Sequence, residues 1–343
     1  MKKIVIIIFL ALAAIAAISG GRWYRDNKMS NFTGKTELFV RPGDTVQDVL
    51  DMLEPQTTSM KSLERTFEAK QVKDYLKPGY YVVTPKNSSV YVARMLNNGW
   101  QSPVNLTLSG TMRLKSDIAR KISNQLLIDS LEVRKALDDK ELLAGYGFTP
   151  RDVFALFQAD TYQMYWTSSM KDVLDKQKAA YDAFWSDDNV AKAKALGLSK
   201  MQVSTLASIV SAESNHAPEM PKIAGVYLNR LRTGMLLQAD PTVAYCFGYS
   251  LNRVLKKHLE VDSPYNTYKH AGLPPGPICV PAREAMEAVL NPDYGGGNLY
   301  FCANPDFSGT HVFAKTLSAH NANAQAFQAE LNRRAAAKRR TAK

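Results

Sequence analysis

One acidic side chain interrupts an apolar helical pattern. In the stretch Leu206-Ala-Ser-Ile-Val-Ser-Ala-Glu-Ser214, Leu206, Ile209 and Val210 fall at i, i+3 and i+4, and Glu213 follows at i+7 on the same stripe. A carboxyl therefore occupies a position where the periodicity asks for an apolar group. Asn215-His-Ala-Pro218 then stops the helix, and Pro218 suits the start of the next one. Glu213 is thus expected at a helix C-terminus, half in the core. Burial strips hydration from a charge, and the negative end of the helix dipole repels an anion, so both disfavour the ionised form. A glutamic acid still protonated near neutral pH can give its proton to a leaving oxygen. The competing reading is an ion pair with a cation such as Lys222 or Arg230 that only holds the fold, because structural pairs also perturb carboxyls.

The elements that must hold this acid follow from the surrounding pattern. Ser199 is placed to cap its helix, and the next helix turns Ile223, Val226, Tyr227 and Leu231 inward before ending at Gly234. Three polar, Pro/Gly-rich segments come next: Gln238–Val243, Tyr265–Tyr268 and Gly272–Ile278. They read as loops, the kind of segment that carries function. A helix over Ala282–Leu290, strands at Tyr300–Ala303 and Thr310–Phe313, and a last helix from Ser318 complete this half. Toward the N-terminus, Thr36–Val40 alternates as a strand, Arg41-Pro-Gly-Asp-Thr45 is a turn with a cap, and Val46, Val49, Leu50 and Leu53 form a helical stripe. A second helix over Ser59–Glu68 and a strand ending near Thr84 complete a βααβ unit. Met170–Trp185 is a strongly amphipathic helix.

The chain has 343 residues, 45% hydrophobic and 22% charged, enough for two or three domains with a sizeable core and unlike a disordered chain. Its formal net charge of +11 suits an acidic partner such as anionic lipid or an acidic polymer. Nucleic acid is the weakest of these, because the sequence carries no zinc-ligand spacing, no RNA-binding aromatic motif and no basic helix with base-reading side chains. Met1-Lys-Lys3 precedes an uncharged run from Ile4 to Ser19, and the stretch through Trp23 is about 20 residues, enough to cross a hydrocarbon core. An uncleaved anchor with Trp23 and Tyr24 at the interface is the favoured reading, and a cleaved signal peptide the rival. Cys246, Cys279 and Cys302 match no metal spacing; one disulfide with a free thiol and three free thiols are both open.

Taken together, Leu206–Ser214, Val226-Tyr-Leu-Asn-Arg230, Leu237-Gln-Ala-Asp-Pro-Thr-Val243, Tyr265-Asn-Thr-Tyr268, Gly272-Leu-Pro-Pro-Gly-Pro-Ile278, and His311-Val-Phe313 with His320-Asn321 resemble the endolytic murein transglycosylases of the MltG (YceG-like) family. The likeness extends over about residues 35–331 and is strongest from 200 on; Gly110, Arg113 and Asp160-Thr161 match family positions before that. Where the family often carries Phe-Trp-Pro, this chain has Phe157-Gln-Ala159, a departure expected to alter one groove wall. The resemblance implies a membrane-anchored lyase that cuts peptidoglycan strands within their length, after N-acetylmuramic acid, leaving 1,6-anhydro ends. It places the catalytic acid on Glu213 and implies association with the cell-wall elongation machinery, peptidoglycan synthases included. It also implies residence in the cytoplasmic (inner) membrane with the catalytic domain outside the cytoplasm.

The residue chemistry fits such a reaction. A common hydrolase needs two carboxyls, and the motif region offers one well-placed carboxyl. Asp240 is the next candidate, but it precedes Pro241, where a cap or turn role fits better. The chemistry needs no metal and no cofactor. The candidate substrate-binding set is Gln238, Asp240, Tyr265, Asn266, Thr267 and Arg230. Gln238, Asn266 and Thr267 suit N-acetyl groups and hydroxyls, Tyr265 and Tyr268 suit sugar faces, and Arg230 suits either the acid or an acidic stem peptide; turn formation and buried hydrogen bonding are the structural alternatives. Because a bare Arg–Glu pair would lower the acid's pKa, direct contact of Arg230 with Glu213 is not expected. His216, His311 and His320 read as structural.

The expected architecture is α+β. It comprises a transmembrane anchor (1–25), a linker (26–35), a LysM-like glycan-binding subdomain (36–100), a helix-rich catalytic domain with short strands (101–331) and a basic tail (332–343). A non-catalytic wall-binding scaffold, and a membrane-surface protein acting through charge, remain as alternatives resting on the βααβ unit and the basic balance.

Overall fold

The computed structural model describes residues 2–341, with the side chains of 338–341 outside the description. The fold is helix-rich α+β with three two-stranded sheets among the described residues. By contacts the chain forms two compact units: residues 1–106 with 125–127 and 162–168, and residues 107–124, 128–161 and 169–343.

In the first unit, α1 (Lys2–Asn27) is exposed along nearly its whole length and is long and apolar enough to cross a membrane. Strands β1 (Thr36–Val40) and β2 (Gly79–Val83) pair antiparallel, with Leu38 opposite Tyr81 and Val40 opposite Gly79. Between them lie α2 (Val46–Leu53), α3 (Met60–Ala69) and the short α4 (Val72–Tyr75); α5 (Ser89–Asn98) follows. Thr45 and Asp48 form a reciprocal capping box at the start of α2, which satisfies two otherwise orphaned amides. Leu38, Val40, Val49, Leu53, Leu63, Phe67, Tyr81, Val92 and Leu96 fill the core. The 26–35 segment is not a free linker. Phe32 is buried in this core, and the Asn31 amide donates to the Ser59 carbonyl and to Ser89 Oγ, both at 3.0 Å. Asp26, at the end of α1, accepts from both nitrogens of the Arg65 fork at 2.7 and 2.9 Å and from Ser62 Oγ at 2.6 Å. A polar stretch reads as linker from composition alone, yet these few groups find partners that fix it.

Strands β3 (Pro103–Thr107) and β4 (Thr161–Tyr165) form the second sheet. The second unit holds α6 (Lys115–Ser123), α7 (Ser130–Asp138), α8 (Lys140–Ala144), α9 (Met170–Phe184), α10 (Asp187–Ala195), α11 (Lys200–Glu213), α12 (Met220–Arg232), α13 (Asp240–Cys246), α14 (Arg283–Leu290) and α15 (Leu317–Thr341). Strands β5 (Tyr300–Ala303) and β6 (His311–Ala314) pair antiparallel, with Phe301 opposite Phe313. The basic tail begins as the end of α15; Ala342 and Lys343 lie outside the described residues.

Helix α11 is the axis of this unit. The sequence suggests one apolar stripe, but every residue from Val203 to Val210 is buried, because α10, α12, α13 and α14 all pack on it. A helix covered all round needs no amphipathic face. Its buried hydroxyls are used: Ser208 Oγ accepts from the Ile278 amide at 3.0 Å, and Ser211 Oγ from the Ala282 amide at 2.9 Å. Polar side chains that satisfy a crossing segment in this way cost little when buried. All three cysteines are free thiols, and burial pushes the Cys279 thiol up to about 12.

Candidate active site

Helix α11 starts at a capping box, Ser199 with Gln202, and ends at Glu213, where Ser214 turns extended. Pro218 does not open the following helix. It sits in a short 3₁₀ turn, Ala217–Glu219, and α12 begins at Met220 with Pro221 in its first turn. Glu219 is buried there, accepting from the His311 amide at 2.7 Å and lying 3.1 Å from His311 Nδ1, which joins the turn to β6. The turn sends α12 back beside α11 and brings Tyr227 level with the acid. The Tyr227 hydroxyl donates to Glu213 Oε1 at 2.6 Å.

Glu213 faces a cavity of about 330 Å³, lined also by Tyr227, Arg230, Gln238, Asp240, Tyr268, Tyr300, Phe301 and His320. Its carboxyl is pushed up from 4.5 to about 7. Burial is the main cause, the Tyr227 hydrogen bond opposes it, the Asp240 charge adds to it, and the Arg230 charge opposes it. Near neutral pH a large share of these carboxyls hold their proton inside an open cavity.

Arg230 makes no ion pair with Glu213. Its guanidinium is spent on backbone carbonyls: Nε donates to Leu299 at 2.7 Å, and Nη1 to Leu237 at 2.7 Å and to Leu236 at 3.3 Å. It also lies over the Tyr300 ring, 5.3 Å from its centre. Arg230 is only 8% exposed and ties α12 to β5 and to the 236–237 segment. We expect Arg230→Met to lower stability by roughly 2–4 kcal/mol in urea unfolding, since three carbonyls lose a charged donor. A change below 0.5 kcal/mol would show that the bridge is dispensable.

Of the six expected binding residues, the cavity gathers Arg230, Gln238 and Asp240. Gln238 is exposed with a left-handed backbone (φ 48°), its amide donating to the Thr267 carbonyl at 3.0 Å. Asp240 does not sit in a loop. It starts α13, with Pro241 in the first turn, a combination that opens helices. Asn266 and Thr267 are buried and do not line the cavity. Asn266 Nδ2 donates to the Leu259 and Val261 carbonyls at 2.8 and 2.9 Å, and Thr267 Oγ1 accepts from the Ala239 amide at 3.0 Å. They hold the loops in place. Tyr265 packs on Tyr245, ring centres 4.6 Å apart, and is also absent from the lining. Tyr268 reaches the cavity, and its hydroxyl donates to Asp240 Oδ1 at 2.6 Å.

Two lining residues escape a reading by sequence. Tyr227 counts there only as an apolar stripe member, although a buried tyrosine hydroxyl needs a partner and Glu213 is the polar group on the neighbouring helix. His320 reads as structural, yet it stacks on Tyr300 with ring centres 5.4 Å apart at the cavity wall. We expect Tyr227→Phe to remove a donor that favours the carboxylate, so the Glu213 pKa rises further and the alkaline limb of any activity profile moves to higher pH. The turnover number should fall roughly tenfold, since about 1.4 kcal/mol of alignment is lost. An unmoved alkaline limb in that variant would remove Tyr227 from the proton chemistry.

Ala212, Ser211 and Asn215, on the other side of the same helix end, line a second cavity of about 260 Å³ with Ser109–Arg113, Ala159 and Glu284. The sequence departure at Phe157-Gln-Ala159 therefore falls partly on this wall through Ala159, while Phe157 is fully buried.

A profile of the YceG-like family matches residues 38–326. A Bacillus subtilis endolytic murein transglycosylase is 49% identical over 117 residues, 34% of this chain and 32% of the relative. A Streptococcus pneumoniae endolytic murein transglycosylase is 27% identical over 352 positions, 92% of this chain and 63% of the relative. The matches thus span less than two thirds of these relatives' own length. The crystal structure of a YceG-like protein from Listeria monocytogenes superposes with a TM-score of 0.57 at 28% identity, covering 84% of this chain and 98% of that one. With most of its length matched by the profile and the same fold found in that neighbour, the chain belongs to the YceG-like family.

Proposed function

We propose that the protein is an endolytic murein transglycosylase, a lyase that cuts the β-1,4 bond after N-acetylmuramic acid within peptidoglycan strands. The observation that carries this reading is Glu213: a carboxyl raised to about 7, hydrogen-bonded by Tyr227, facing an open polar and aromatic cavity. The names of the Bacillus and Streptococcus relatives support it. Protonated Glu213 gives its proton to the glycosidic oxygen as the C1–O bond breaks, and the bond pair leaves with that oxygen. The C6 hydroxyl of the same sugar then attacks C1, and its proton returns to the Glu213 carboxylate. The acid is regenerated, no water is consumed, and the nucleophile is already attached to the reacting ring, which supplies much of the rate.

Gln238 and Tyr268 offer hydrogen bonding and a ring face to the sugars, while Arg230, Asn266 and Thr267 act by fixing the walls. Tyr265 acts through the same loop. The βααβ unit of residues 36–100 serves as a LysM-like glycan-binding module, supported by its antiparallel pair and helical pattern. Helix α1 anchors the chain once in the cytoplasmic membrane with both units on the outer side, beside peptidoglycan synthases and nascent strands. Mass spectrometry of digested glycan strands tests the reaction. Internal cuts ending in 1,6-anhydro-N-acetylmuramic acid are expected; reducing ends instead would make the enzyme a hydrolase.

A further inference from the structure

We propose that Asp240 is a second catalytic group, a carboxylate that stabilises the positive charge developing at the anomeric carbon; this rests on the transglycosylase reading. The first support is placement. Asp240 and Glu213 line one cavity from two different helices, the acid at the end of α11 and the carboxylate at the start of α13. Asp240 is exposed to that cavity, whereas Glu213 is mostly covered.

The second support is the way Asp240 is held. The Tyr268 hydroxyl donates to Oδ1 at 2.6 Å, while Oδ2 takes no hydrogen bond among the described residues. Among the described residues no cation forms an ion pair with this carboxylate; the Arg230 guanidinium on the same cavity wall donates instead to backbone carbonyls. A carboxylate held by one donor in the same cavity as the acid can stabilise an oxocarbenium-like transition state.

The third support is the division of labour. Two carboxyls in one site cannot both ionise freely, and different surroundings push them apart. Here burial, with the neighbouring Asp240 carboxylate adding to it, favours a proton on Glu213, while Asp240 is exposed to the cavity and accepts from the Tyr268 hydroxyl. Throughout the reaction Asp240 gains and loses no proton. Glu213 donates one to the leaving oxygen and recovers one from the C6 hydroxyl, so the step balances with Asp240 as a spectator charge. A base that activates water would instead yield reducing ends.

Asp240→Asn tests this, because the side chain keeps its shape and an oxygen for the Tyr268 donor. On glycan strands the turnover number should fall about 10²-fold while KM changes less than threefold. The alkaline limb of the rate profile should also move to lower pH, since one negative charge facing Glu213 is gone. The other charged or titratable groups facing that cavity are Tyr227 and Arg230 of α12, Tyr268 from the loop after α13, Tyr300 of β5 and His320 of α15, and all remain. Turnover within threefold of wild type, or a loss with the alkaline limb unmoved, would overturn the proposal. Should Asp240→Asn misfold, Tyr268→Phe decides: five- to tenfold slower turnover supports the role, and unchanged turnover removes it. Glu213→Gln, run alongside, separates the two ideas: if it still cleaves, the underlying reading fails, whereas if it is inert and Asp240→Asn is active, only the second-carboxylate role fails.

Discussion

Replacing Glu213 with Gln should lower glycan cleavage by at least about 10³-fold while leaving glycan binding nearly unchanged. General acid catalysis contributes about 10²–10⁴-fold, and here one residue acts first as acid and then as base, so both halves of the reaction lose their proton carrier. Gln keeps the volume and still accepts from the Tyr227 hydroxyl, so the cavity keeps its shape. The same variant should gain stability, with a defined pH dependence. The Glu213 carboxyl is raised from 4.5 to about 7 in the folded protein, so the native state binds the extra proton. Its stability is therefore fully present below about 4.5 and declines as pH rises toward 7. A Gln side chain escapes that decline. Glu213→Gln should match wild type in urea at pH 4 and exceed it by roughly 3 kcal/mol at pH 8. Equal stability at both pH values would mean that the acid is not held in the protonated form.

Gly225→Ala should be among the most destabilising single substitutions in the second unit. Gly225 lies on the buried face of α12, and a Cβ there would stand 2.0 Å from the Asp293 carbonyl oxygen and 3.0 Å from the Tyr294 Cα. Both obstacles are backbone, so no rotamer relieves the clash. The 293–298 segment is tied to the same helix: the Asp293 amide donates to the Pro221 carbonyl at 2.9 Å, and Asn229 Nδ2 to the Asn298 carbonyl at 2.9 Å. Moving the segment away would break these bonds, and Leu299, which receives Arg230, follows directly. Overpacking of about 1–3 kcal/mol plus the lost hydrogen bonds puts the expected destabilisation near 3–5 kcal/mol. Urea unfolding measures it, and a loss under 1 kcal/mol would mean that α12 and this segment are not closely packed.

The acid was legible because a carboxyl on an apolar stripe is a local signal. Its helix was legible for the same reason, although residues 203–210 are covered on all sides, and only tertiary packing decides that. Local signals failed where two elements compete for the same residues. Pro218 and Pro221 both suit a helix start, and the choice between them depends on Glu219 meeting the His311 amide across the fold. Asp240-Pro241 looks like a turn until α13 continues from it. Asn266 and Thr267 have the chemistry of sugar binders, but chemistry does not reveal direction, and both point into their own loops. Tyr227 was hidden by being apolar enough for the stripe it occupies. The 26–35 segment looked unattached because the partners of Asn31 and Asp26 lie 28 to 58 residues away along the chain.

The most direct measurement is the ionisation of Glu213 itself. Infrared difference spectra of wild type against Glu213→Gln, taken across pH 4 to 9, isolate the protonated carboxyl band of this one residue. The band should persist to neutral pH and vanish with a midpoint near 7. A midpoint near the ordinary glutamate value would mean an ionised side chain at neutral pH, and the proposed proton donor would be absent.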